Sequence, residues 1–157
     1  MVIHESIEAL AHESVQAAAS THPASQNRAH AEATVTVHDS HSAPFDQGAG
    51  PVLSELHLNE TFAGDIDGRS SVRAFEVRSG KKHGSLVSMQ RFVGKLGDRK
   101  GTFLLQGSEI VENGSIKATW FVVSGSGTGE LTGLRGEGGF AGEFGKGSHA
   151  TLDYWFE

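Results

Sequence analysis

GTFLLQGSEIVENGSIKATWFVV, residues 101–123, consists of two runs of strand-forming residues hinged at Asn113-Gly114. Asn-Gly supplies two residues that tolerate positive φ, as the type I′ turn of a tight hairpin requires. The stretch reads as two antiparallel strands. Period-2 alternation puts Phe103, Leu105 and Gly107 on one face of the first, and Ala118, Trp120 and Val122 on one face of the second.

The same pattern extends in both directions. Upstream, Gly97-Asp98-Arg99-Lys100 is a turn closing a strand over Leu86 to Leu96, in which Leu86, Ser88, Gln90 and Phe92 share a face. Before it come a strand holding Val72, Ala74, Phe75 and Val77, a turn at Gly64 to Gly68, and a strand from Val52 to Phe62. A loop over Ser42 to Gly50, marked by Pro44 and two glycines, follows a first strand at Ala33 to Val37. Downstream, Ser124-Gly125-Ser126-Gly127 separates the hairpin from a strand over Thr128 to Gly136, and Ala150 to Phe156 is the last. The expected fold is all-β: a closed antiparallel barrel of about eight strands, since closure removes unpaired edges.

Glycine, 21 residues in all, clusters between Gly125 and Gly147. Glycine inside strands costs conformational entropy, so its use here points to tight turns, bulges and the strong coiling of a small barrel. Leu131, Leu134, Phe140 and Phe144 punctuate the stretch and argue for ordered structure. Ahead of the barrel, Ile3, Ile7, Leu10 and Val15 recur at helical spacing and predict a short amphipathic helix over residues 3–19. Residues 1–30 are thus expected to be a helical extension and linker, and 31–157 the barrel domain.

Composition narrows the partners. Thirteen Lys plus Arg against 19 Asp plus Glu give a net charge of −6, which disfavours nucleic acid and anionic membrane surfaces. The absence of cysteine removes disulfides, thiolate nucleophiles and zinc-thiolate sites. Glu5, Glu8 and Glu13 interrupt what could be a signal peptide, and no apolar run is long enough to span a membrane. A soluble cytoplasmic protein is the expectation.

Three segments carry a family resemblance: Thr61-Phe62-Ala63-Gly64-Asp65-Ile66-Asp67-Gly68, Gly94-Lys95-Leu96-Gly97-Asp98-Arg99-Lys100-Gly101-Thr102-Phe103, and the block from Gly125 to Gly138, with Leu152-Asp153-Tyr154 near the end. Over residues from about 31 to 157 the chain resembles the bacterial domain-of-unknown-function 3224 family. That family looks like the allene oxide cyclase barrel, whose plant members steer a reactive fatty-acid epoxide to cyclisation in an apolar lumen. The resemblance implies an architecture and no reaction by itself. Where the family commonly has Glu before Arg ahead of Gly94, this chain has Gln90-Arg91, which removes a carboxylate base from that position.

Other motifs do not support a reaction. Gly125-Ser126-Gly127-Thr128-Gly129-Glu130 has Glu where a dinucleotide fingerprint needs its third glycine, and lies between strands. The nine histidines are dispersed; His38 and His41 beside Asp39 lack a further ligand, so no metal is expected. Asp65 and Asp67 suit a turn.

The barrel interior therefore carries the functional expectation. If the faces above point inward, Phe92, Phe103, Leu105, Trp120, Val122 and Tyr154 wall a lumen, and Gln90 is a polar group among them, able to polarise a bound molecule. One reading is a cofactor-independent isomerase or cyclase acting on a small apolar metabolite. The other is a non-catalytic ligand-binding or structural module, forming a homo-oligomer through outward residues such as Phe121 and Trp155. A filled interior, with Trp120 and the phenylalanines as packed core, is the plain alternative to any pocket.

Overall fold

The computed structural model describes residues 27–143 and 146–157. The helix expected over residues 3–19 lies outside them, as does Phe144. Eight strands follow one another around a closed antiparallel barrel: β1 (Ala29–Asp46), β2 (Leu53–Gly64), β3 (Ile66–Arg78), β4 (Gly84–Leu96), β5 (Arg99–Glu112), β6 (Ser115–Val122), β7 (Leu134–Glu143) and β8 (Ser148–Phe156). Among the described residues the only helical element is a 3-10 turn at Gly129–Leu131. No helix among them is long and apolar enough to cross a membrane.

Asn113 and Gly114 form the β5–β6 turn with φ of 52° and 82°, as their sequence requires. The β2–β3 turn is tighter than the expected Gly64–Gly68: only Asp65 separates the strands, and Gly68 already pairs with Gly94. A Cβ on either glycine would lie within about 3 Å of the tip of the Phe92 ring, so the pair lets that ring lie across the backbone.

Two segments depart from expectation. Ser42 to Asp46 is not loop but the end of β1, where Pro44 pairs with Ser54. Proline is tolerated there because β8 pairs only with Ala29 to Val35, leaving the other edge of β1 free beyond that point. Thr128 to Gly136 is not a continuous strand: after the 3-10 turn, β7 begins at Leu134. This connection replaces β6 along the start of β5, with Thr128 N–H donating to the Thr102 carbonyl at 2.9 Å and Leu104 N–H to Ser126 Oγ at 3.1 Å. It carries the fully buried Leu131 into the barrel end.

That end is filled. Leu131, Leu134, Ile66, Leu96 and Leu152 pack with Phe62, Phe92, Phe103, Leu105, Trp120 and Val122 in one cluster. The rings of Phe92 and Phe103 lie 4.9 Å apart and those of Phe62 and Phe92 meet edge-on at 5.5 Å. Toward the other end only a thinner apolar cluster, Leu56, Ala74, Leu86 and Val111 with Leu58 and Ile116, lines the wall. The bulge between Val37 and Asp39 and the parting of β1 from β8 leave that half open.

Candidate functional site

The open half of the lumen encloses a chamber of about 380 Å3. Its walls are mainly apolar, from Leu56, Leu58, Val72, Leu86, Val111 and Ile116, and with the exposed Glu143 at its edge two inward carboxylates enter it, Glu60 from β2 and Glu109 from β5. Strand geometry places both. Glu60 occupies the inward parity of Leu56, Leu58 and Phe62, and Glu109 that of Gly107 and Val111.

Each carboxylate is tied to a serine across the sheet. Ser70, directly opposite Glu60 on β3, is 3.3 Å from Glu60 Oε1 and donates to Gln90 Oε1 at 2.8 Å. One hydroxyl proton cannot fully serve both acceptors, and Gln90 is the nearer, so Ser70 supports an ionised Glu60 only weakly. Ser88 Oγ donates to Glu109 Oε1 at 3.2 Å. Gly107, opposite Ser88, makes this possible, because a Cβ there would stand 2.9 Å from the serine oxygen.

Burial acts on both carboxyls. Loss of hydration and then the nearby Glu109 raise the Glu60 carboxyl to a pKa of about 7, against a weaker opposing effect from the Ser70 hydrogen bond. Burial likewise raises Glu109, with Ser88 opposing. At the rim Arg78 Nε donates to Glu76 Oε2 at 3.1 Å, and Ser42 donates to Glu76 Oε1 at 2.9 Å.

The residues singled out from sequence occupy neighbouring but different ground. Phe92, Phe103, Leu105, Trp120 and Val122 are buried together in the filled half, and Tyr154 packs half-buried against them. Trp120 donates its indole N–H to the Thr151 carbonyl at 3.0 Å. None of the six lines the chamber. Gln90 is buried beneath it, bonded to Ser70. The sequence reading places Ser88 on the face of Gln90 and Phe92 but does not single out Glu60, Glu109 or Ser70, although their parity with inward apolar neighbours is visible in the sequence. Phe121 is exposed on the outer wall, whereas Trp155 is half-buried beneath the Arg28 guanidinium, 4.4 Å from its ring centre. His38 contacts Thr61 Oγ1 at 2.7 Å and His41 meets the His57 ring edge-on, and no group of three metal-ligating side chains gathers among the described residues.

No curated protein matches the sequence. Among solved structures, the chain is similar to a protein of unknown function from the DUF3224 family of Shewanella oneidensis MR-1. The two are 28% identical with a TM-score of 0.71, over 83% of this chain and 99% of that one. The family described as "Protein of unknown function (DUF3224)" matches residues 29–156, the whole barrel from the first residue of β1 to the last of β8. This chain belongs to that family.

Proposed function

We propose that the barrel binds a small, largely apolar molecule in the open half of its lumen and promotes its isomerisation or cyclisation by moving a proton through Glu60. One juxtaposition carries the reading: a carboxyl with a pKa of about 7 stands in the wall of an otherwise largely apolar chamber. Such a group is present in both protonation states near neutrality and can therefore take a proton from one atom of a ligand and return it to another. The walls limit the conformations a bound molecule can adopt. Gln90 is then a positioning residue, acting on Glu60 through Ser70, and the aromatic cluster is the rigid floor. Eight-strand closure and a half-open lumen support likening this arrangement to the allene oxide cyclase barrel.

Native mass spectrometry of protein purified from its own host, followed by release and identification of any small molecule, tests the reading. Incubated in heavy water, the wild type is expected to return the ligand carrying deuterium at carbon. Supplied with ligand at saturating concentration, Glu60→Gln is expected to slow the labelling at least about a hundredfold, the lower range for a lost proton-transfer group. Equal labelling in both proteins would remove Glu60 from the chemistry. Ligand unlabelled in both would make the barrel a carrier.

A second observation favours a structural role alongside this one. Phe75, Val87, Met89 and Phe121 are exposed along a depression of about 850 Å3 on the outer wall, with Arg73 among its lining residues and the acids Glu137 and Asp153 as well. Contiguous exposed apolar surface marks an interaction face. A second copy suits it, since a two-fold axis through the depression would lay the same apolar residues of each copy against those of the other. Phe121→Asp is expected to convert an oligomer to monomer in size-exclusion chromatography with light scattering. A wild type that is monomeric at every concentration tested would defeat this reading.

A further inference from the structure

Among the described residues the charged groups bordering the chamber are Glu60 on β2, Arg78 on β3, Glu109 on β5 and Glu143 on β7, with Glu76 beneath Arg78 and Lys146 bridged to Glu143 at 3.0 Å. The strands β1, β6 and β8 bring only neutral side chains, such as Ser40, Ile116 and Ser148. Arg78 is bonded to Glu76 at the rim, and among the described residues no cation is bonded to Glu60 or Glu109. Each of these two carboxylates has one oxygen in contact with a serine hydroxyl. Its second oxygen has no hydrogen-bond partner among the described residues and is not sealed from the cavity.

Two acceptor oxygens of residues that line one chamber therefore have no donor among the described residues. An anionic ligand would add negative charge beside two carboxyls in a poorly hydrated space, whereas an ammonium group offers three donors and a positive charge. We infer that the chamber takes an apolar primary amine, with its hydrocarbon body against Leu56, Leu58, Val72 and Ile116 and its ammonium group between Glu60 and Glu109. The inference rests on the reading of the chamber as a ligand site and specifies the ligand's polar end. The amine binds the ionised pair, so binding expels the proton that the empty pair holds near neutrality.

Octylamine, octanol and octanoate share a chain and differ in head group, and titration calorimetry of the full chain with each separates the cases. Octylamine is expected to bind saturably, one per barrel, at least about tenfold tighter than octanol, as a charge-assisted bond in place of a neutral one implies. Octanoate is expected not to bind. Octylamine affinity is expected to rise about tenfold from about pH 6 to about pH 8, as the ionised fraction of Glu60 grows from about a tenth to about nine-tenths around its pKa of about 7. In Glu60→Gln and Glu109→Gln the advantage over octanol should fall to within about threefold while octanol still binds. The variants also separate the chamber from loose attraction of a cation to the acidic surface, which they would leave unchanged. Octanol or octanoate binding as tightly as octylamine would overturn the amine assignment and leave the chamber a ligand site. Failure of all three to bind would overturn both.

Discussion

Phe92→Ala is expected to lower the free energy of unfolding by about 3–5 kcal/mol, enough to depress the melting temperature by roughly 10–20 °C. The ring is fully buried and touches Phe62 on one side and Phe103 on the other. Its tip lies over the paired glycines Gly68 and Gly94, which have no side chains with which to refill the space. A truncated side chain here loses transfer free energy and leaves a void that the closed sheet cannot collapse upon, since the surrounding strands are hydrogen-bonded on both edges. Urea unfolding monitored by Trp fluorescence measures the loss. Val37→Ala, on the exposed side of the β1 bulge, is the contrast and should cost less than about 0.5 kcal/mol. A loss below about 1 kcal/mol for Phe92→Ala would mean that the aromatic half of the lumen is loosely filled, contrary to the packing described.

That contrast also marks what could be read from the sequence. Alternation in Leu86-Val87-Ser88-Met89-Gln90-Arg91-Phe92 sorted side chains into two sets correctly, because strand parity is a local property. Whether Phe92 served as wall or as filling depended on the β6–β7 connection. Leu131 plugs one end there, while Gly101 gives way to Thr128, whose carbonyl lies 2.0 Å from where a Cβ would be. Nothing local in Thr128 to Gly136 announces a plug, and the stretch resembled another strand. Pro44 misled for a similar reason. Its suitability within a strand depends on β8 having already parted from β1, a fact of long-range pairing. Glu60 and Glu109 were legible in parity but were obscured by the general rule that a strand carboxylate faces water. The departure from that rule is what makes them candidates for function.

The second large effect concerns the cost of keeping one of those carboxylates in the wall, and it appears as a pH-dependent difference between two proteins. Glu60 has a pKa of about 7 in the folded barrel and the ordinary value of 4.5 when the chain is unfolded. Between these values the folded state holds a proton that the unfolded state has released. Stability contributed at this position is therefore fully present below about pH 4.5, declines as pH rises through 7, and is lost above it. At about 1.4 kcal/mol per unit of pKa difference the full span is at most about 3.5 kcal/mol, and hydration from the open chamber brings the expected value nearer about 2 kcal/mol. Glu60→Gln replaces the carboxyl with a neutral group of the same shape that can still donate to Ser70. The variant is thus expected to match the wild type near pH 4 and to exceed it by about 2 kcal/mol near pH 8. Every other titrating group is common to both proteins, so its contribution cancels in the difference. Glu109→Gln removes one cause of the raised pKa and should move the decline in wild-type-like stability to lower pH, so the two substitutions should not be additive. Urea unfolding curves recorded across this range decide the matter. If the wild type and Glu60→Gln keep a constant separation from about pH 5 to about pH 8, Glu60 does not titrate there and cannot be the group that moves a proton at neutrality.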